Sequence, residues 1–460
     1  MSSFIATIAT IFFIILLYTR DFNKEREVSS AVWIAVLWMM YCAALPPSYW
    51  LDTSQGISVG SDLTEGDPID RLFLITLLLT AIPVLLRRKR NWKYIFEKNS
   101  LLIILFIYMG ISFLWSDSPE ISLKRWIRTS GDLIMVLLIL TEKKPAEAVD
   151  ALIRRCMYLL IPLSVLFIKY YRDLGIAYTF DGSMTMWIGV TTHKNALGSL
   201  TVISSVYFLW SIIRNWRKDN VVPECILLIM SLWMLNGSET SSSKTAIVVF
   251  FAGLCILLLM HIVEVKKKEK YLDLYVFMIL FFFSAALILT SFLVSGPLME
   301  IVTNAIGRDS SLTGRVPLWN TLLQMGKDNP VFGTGYGSFW IGNRTHDLWY
   351  LFLWQPSQGH NGYIDVYLEL GIVGILILFS VLIASYRNLK MKLPYYYSFT
   401  ALRLSFIIMI LLTNMAESSL TKGTSFLWFL FLLFVLDVPG YRNFEERESK
   451  LNKQLSFTAE

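Results

Sequence analysis

Thr245-Ala-Ile-Val-Val-Phe-Phe-Ala-Gly-Leu-Cys-Ile-Leu-Leu-Leu-Met260 contains no charged side chain. The run is continuous rather than alternating, so it does not read as a barrel strand. About 20 apolar residues cross a bilayer as a helix. In lipid, only helices and closed barrels satisfy their own backbone. Comparable runs lie at 101–115, 272–294 and 424–436. The chain as a whole agrees: 17% of its 460 residues are charged and 55% are hydrophobic. A soluble domain carries about 25% charged residues. The expected fold class is all-α, a polytopic membrane protein.

Spans are expected near 3–19, 30–46, 71–86, 99–115, 130–141, 155–169, 194–213, 222–236, 244–262, 272–294, 361–386, 397–415 and 424–438. That gives about 12 to 14 transmembrane helices, with 130–141 and 222–236 the shortest. The run 4–18 could be a signal peptide, but such peptides carry their positive charge first. Here Arg20, Lys24 and Arg26 follow the run, which reads as a retained first span.

Charge sets the orientation. The loops 20–29, 87–98, 142–155, 214–221, 263–271, 387–396 and 439–460 hold 27 of the 41 Lys and Arg residues. The positive-inside rule makes them cytoplasmic, with the N-terminus outside and the C-terminus inside. The acidic stretch 52–70, with Asp52, Asp62, Glu65, Asp67 and Asp70, falls on the other side. The net charge of +6 thus follows from topology and is no sign of nucleic-acid binding. Cys42, Cys156, Cys225 and Cys255 lie in or beside apolar runs, without metal or disulfide spacing, and read as packing residues.

Most of the 14 remaining cations are placed against the rule. They include Lys124, Arg125, Arg128, Arg172, Lys194, Lys244, Arg308, Arg315 and Arg344. As a group they point to an anionic ligand bound on the outer face.

Four segments follow from this layout: transmembrane helices over 1–294, a large outward loop over 295–359, further transmembrane helices over 360–438, and a tail over 439–460. Loops as long as 295–359 are usually functional or disordered. This one carries Trp319, Trp340, Trp349 and Trp354 and apolar stretches at 296–306 and 316–325. That composition fits short amphipathic helices on the membrane surface.

Several polar motifs lie on the outer side. Thr313 reads as an N-cap, which places Arg315 in a first helical turn. A cation there opposes the helix dipole, which makes sense if an anion shares the site. Phe332-Gly-Thr-Gly-Tyr-Gly337 lacks the Lys and Ser/Thr of a phosphate loop, and reads as a turn that lets backbone approach a ligand or helix. His360, Tyr363, Tyr367, Gly371 and Gly374 share one helical stripe, while Asn361, Asp365 and Glu369 share another. Ionisable groups on a span usually face a bundle interior or wet cavity, and the glycines would let another helix approach. His360, at the outer mouth, could act as a general base on a hydroxyl. Thr192-His193-Lys194-Asn195, Ser241-Ser-Ser-Lys244-Thr245, Ser116-Asp117, Asn414 and Glu417 share the face. No His, Asp or Glu set has zinc-like spacing, so neither metal nor cofactor is expected.

Thr192-His-Lys-Asn-Ala-Leu-Gly198, Ser242-Ser-Lys-Thr245, Thr313-Gly-Arg315 with Trp319, Gly333-Thr-Gly-Tyr-Gly337 and His360-Asn-Gly-Tyr363 through Gly371 occur in this order. With Gly66-Asp-Pro-Ile-Asp-Arg71 and Leu114-Trp-Ser-Asp117, the set resembles the O-antigen ligase and polymerase superfamily (Wzy/WaaL-like), especially its exopolysaccharide polymerase branch. The resemblance implies a metal-independent, GT-C-like membrane glycosyltransferase in the bacterial inner membrane, with its site facing the periplasm. Its substrate would be an undecaprenyl-diphosphate-linked oligosaccharide. A flippase and a chain-length regulator would be partners.

By the same resemblance, His360 and Arg315 would be catalytic. From their outward charge and placement, Lys244, Lys194, Arg128 and Arg125, with Asn361, Tyr363 and Glu417, are the candidates for binding the diphosphate and glycan. Lys244 stands where ligases usually carry arginine; lysine lacks bidentate geometry, which favours a polymerase. Two alternatives stay open, an O-antigen ligase acting on the lipopolysaccharide core and a lipid-linked oligosaccharide flippase. A transporter would place its polar groups near the midplane, often with an inverted repeat.

Overall fold

The structure, a computed structural model, describes residues 2–24, 28–51, 67–178, 185–216, 220–237, 243–266, 311–352, 354–393 and 396–437. The span expected at 272–294, the stretch 296–306, Arg308 and the tail 439–460 lie outside them. The described chain is helical throughout, apart from a small antiparallel pair, Ile176–Tyr178 with Thr185–Trp187. It is an all-α, multi-pass membrane protein.

Among the described residues, six helices are long and apolar enough to cross a membrane: Ser3–Phe22, Pro68–Arg87, Pro145–Tyr170, Lys194–Asn215, Lys244–Ile262 and Gly362–Lys392. The pair Trp92–Lys98 and Ser100–Trp115, bent by 82°, would make a seventh. Val32–Ala43, Val222–Asn236, Tyr397–Thr413 and Phe426–Val435 are apolar but shorter. The segment expected at 130–141 is the end of Pro119–Leu140, whose Lys124, Arg125, Arg128 and Asp132 make it too polar to be a simple span. Among the described residues, several of the expected spans are apolar helices shorter than a full crossing that pack inside the bundle. Phe426–Val435 shows why: all its residues are buried, as expected of a helix that is hydrophobic all round.

Loops assigned to one side meet one another. Arg88 pairs with Glu142, which also accepts from Ser29. Arg154 and Arg155 clasp the buried Asp21 at 2.6 Å each, and Arg20 pairs with Glu224. Lys392 pairs with Asp437, whose backbone bonds Asn99. At the opposite end, Thr7 meets Tyr171, Ser48 meets Asp70 and Asn195 meets Glu417. Each of these contacts joins segments that the charge count assigns to the same side.

The long loop packs Leu318, Leu322, Phe339, Trp340 and Leu348 in a small core with Leu368 of the following helix. The loop's described residues include two α-helices, Ser311–Met325 and Asn343–Leu351. The glycine segment then meets the helix Gly362–Lys392, which breaks at Gly371 (φ 65°). A break frees backbone groups that must find partners in an apolar bundle. Thr334 and Gly335 donate to the carbonyls of Leu368 and Glu369 at 3.0 Å. Ile372 and Val373 donate to the carbonyls of Pro330 and Val331 at 2.9 and 3.2 Å. Tyr108 donates to the Leu370 carbonyl and Gly337 to the Glu369 carboxylate. The expected approach to Gly371 by another helix is thus made by this loop instead.

Candidate active site

Two turns are pressed together on the face that the charge pattern reads as outward. The first runs from Gln358 to Gly362. Trp319 donates to the Gly359 carbonyl (2.8 Å), tying it to the loop helix. Asp365 accepts from Gly359 N–H and from the Trp340 indole. Asn361 caps the following helix by accepting from Tyr363 and Ile364 N–H. The second turn, 414–425, is folded around Asn414, which accepts from Ser419 and Leu420 N–H. Gly362 N–H to the Asn414 carbonyl (2.8 Å) and Asn361 N–H to Ser418 Oγ (3.1 Å) join the two.

Glu417 lies at the junction, with its side chain 13% exposed. Arg315 donates to the Ala416 carbonyl at 2.8 Å and to Glu417 Oε1 at 3.3 Å. Asn195 donates to the same oxygen at 2.6 Å. His360 Nδ1 lies 3.5 Å from Glu417 Oε2. Burial alone would raise the Glu417 carboxyl; hydrogen bonding and charge from His360, followed by Arg315 and His193, outweigh it and hold the group below the ordinary glutamate value. The site therefore contains an ionised carboxylate facing cationic and polar donors.

Beside it, Lys422 pairs with Asp365 at 3.0 Å and donates to Gln358 Oε1 at 3.1 Å. That leaves Gln358 Nε2 facing His360 Nδ1 at 3.5 Å. Among the described residues, His360 Nε2 has no hydrogen-bond partner and remains available.

Backbone strain marks the same place. The non-glycine residues with positive φ among those described are Gln355, His360, Thr421 and Thr424. All fall in or beside the two turns. Left-handed backbone is uncommon outside glycine, and such strain collects at functional sites.

Sequence-derived candidates separate into those at the junction and those beyond it. Arg315, His360 and Glu417 meet, but Arg315 does so differently from expectation. Its helix is described from Ser311, so Thr313 lies inside it and Arg315 beyond the first turn. Arg315 points at a carboxylate instead of guarding a helix terminus. Lys244 is exposed at the start of its helix; its neighbours Ser243 and Thr245 line a narrow cavity with Asn195, Thr413 and Glu417. Lys194 is partly exposed beside Asn195. Arg125 donates to the Gly337 carbonyl and so holds the glycine segment. Arg128 lies near Tyr41 and Asp132, away from Arg315. Tyr363 donates to the Leu411 carbonyl and braces two helices.

Asn195, Gln358 and Lys422 were not singled out in the sequence. Asn195 belongs to the polar cluster 192–195, and Lys422 is a cation just before the last apolar run. Among the described residues, no three His, Cys, Asp or Glu side chains are grouped as metal ligands.

Comparison with known proteins adds two findings. Residues 226–379 match a family model described as O-antigen ligase. The chain is also similar to the exopolysaccharide production protein ExoQ of Rhizobium meliloti (strain 1021), 25% identical over 289 residues. That alignment covers 61% of this chain and 62% of the relative. The family match includes Lys244, Arg315 and His360, and ends before Glu417 and Lys422.

Proposed function

We propose that this chain, which is similar to the O-antigen ligase family over residues 226–379 and to an exopolysaccharide production protein, is a membrane glycosyltransferase that polymerises glycans carried on undecaprenyl diphosphate. The observation that carries the proposal is the meeting of Arg315, His360 and Glu417 on one face of the bundle. That face would look into the periplasm from the inner membrane.

In the proposed reaction, His360 Nε2 takes the proton from a hydroxyl of the incoming repeat unit. Glu417 behind Nδ1 orients the ring and stabilises its charged form. The hydroxyl oxygen forms a bond to the anomeric carbon of the donor. The bond from that carbon to the diphosphate breaks, and undecaprenyl diphosphate leaves with the electron pair. Arg315, with Lys244 and Lys194 at the mouth, stabilises the developing negative charge. Asn361 holds the turn that presents His360. The loop 295–359 would cover the site and keep water from hydrolysing the donor.

The test is elongation by purified protein supplied with lipid-linked repeat units and no added metal. Longer oligomers are expected. His360→Ala and Arg315→Ala should each abolish them in protein that stays folded. Full activity in both variants would sink the reading.

The description of the matching family favours a second reading, ligation of the glycan to the lipopolysaccharide core. Offering that core as acceptor in the same assay separates the two. Lysine at position 244 favours polymerisation.

A further inference from the structure

The outward loop contains four tryptophans, and three are used structurally. Trp319 donates to the Gly359 carbonyl, Trp340 to Asp365 and Trp349 to the Pro356 carbonyl. Trp354 differs. It is 47% exposed, and among the described residues its indole N–H has no partner. Its ring lies 5.7 Å from the His360 imidazole, tilted by 43°.

Its backbone is held firmly. The Trp349 bond to Pro356 spans the turn at 3.0 Å, and Gln355 N–H donates to the Phe352 carbonyl. Gln355 itself adopts a positive φ of 50°. Phe352 packs edge-on against the Trp354 ring at 6.3 Å. A strained, tied turn thus presents an open indole face next to the proposed base.

A tryptophan that anchors the protein in lipid needs contact with the bilayer and no contact with His360. A tryptophan that binds sugar needs both features seen here. The electron-rich face of the indole attracts the C–H face of a pyranose, and its N–H can donate to a hydroxyl. The two rings are in contact, 5.7 Å between centroids, so a ligand beside His360 Nε2 also reaches the exposed part of the indole. A pyranose whose hydroxyl reaches His360 Nε2 can therefore lie on Trp354.

We propose that Trp354 is the stacking platform for the terminal sugar ring of the acceptor glycan, and that it sets the angle at which the hydroxyl meets His360. This inference rests on the proposed glycan transfer. Trp354 acts as a substrate-binding residue and moves no proton.

The experiment measures acceptor KM, donor KM and kcat for Trp354→Ala, Trp354→Leu and Trp354→Phe. It is paired with calorimetric binding of the free oligosaccharide released from lipid-linked repeat units by mild acid. Trp354→Ala and Trp354→Leu should raise acceptor KM about tenfold, with donor KM unchanged. Trp354→Phe should stay within about threefold of wild type. Calorimetry should show the same order. If Trp354→Leu keeps the wild-type acceptor KM, the ring is a lipid anchor and the proposal falls. Should Trp354→Ala fail to fold, the Leu and Phe variants carry the comparison. If the free oligosaccharide binds through Trp354 but no acceptor is ever extended, the platform stands and the transfer reading fails.

Discussion

Glu417 is where the polar network converges, and its charge state is the first property to test. Its carboxyl is held below the ordinary glutamate value. A depressed group contributes fully above its unfolded pKa, about 4.3 for glutamate, and loses that contribution as pH falls through the lower folded value. Between pH 5 and 8 it should thus stay ionised, so its titration sets no limb of the pH–rate profile. Glu417→Gln should lower the rate at every pH in that range by about a hundredfold. A shifted limb with an unchanged plateau would contradict this. Lys422 makes a different prediction, because Asp365 is only 3% exposed. Lys422→Met leaves that carboxylate buried and unpaired, at a cost of about 3 kcal/mol. Lys422→Met with Asp365→Asn should recover most of the loss in thermal unfolding. At this scale the chemical types were legible and the partnerships were not. His360 and Arg315 are recognisable as an exposed base and a cation. Nothing in the spacing of 195, 315, 360 and 417 says that one carboxylate receives the first three.

The broken helix Gly362–Lys392 sets the predictions for elements. Gly371 and Gly342 both have positive φ, 65° and 68°. A Cβ at Gly371 would overlap backbone atoms of Val331 and Phe332, whereas nothing lies within 4 Å of one at Gly342. Gly342→Ala should therefore cost about 1–3 kcal/mol for its backbone conformation alone. Gly371→Ala should cost clearly more, since it also separates the loop from the freed backbone of the helix. Apparent Tm in detergent compares the two directly; equal losses would mean that the stitch is dispensable. The glycines at 333–337 announce a close backbone approach in the sequence. What approaches them is decided by the helix break, whose unpaired carbonyls at 368–370 require donors. Arg315 lies beyond the first described turn of Ser311–Met325 and not at its terminus.

For the whole molecule, the ion pairs named above among the described residues divide into two sets, one at each end of the bundle. Asp21, fully buried between Arg154 and Arg155, belongs to the end far from the site. Asp21→Asn should destabilise the protein by about 3–5 kcal/mol and leave the acceptor KM of the folded fraction unchanged. Orientation can be read by thiol labelling in a background lacking the four native cysteines. Lys244→Cys should react with an impermeant reagent from the periplasmic side, and Lys93→Cys only after the membrane is opened. The reverse pattern would invert the proposed topology. Apolar runs and the asymmetric spread of Lys and Arg determine by themselves that the chain is a helical, multi-pass membrane protein with two unlike faces. Hydrophobicity and charge act there through composition alone, and composition is written in the sequence. Which helices are full spans, which pack as short cylinders inside the bundle, and which donors close on Glu417 are decided only in the folded state. Those outcomes depend on distances between segments hundreds of residues apart, and on buried polar groups that must each find a partner once water is excluded.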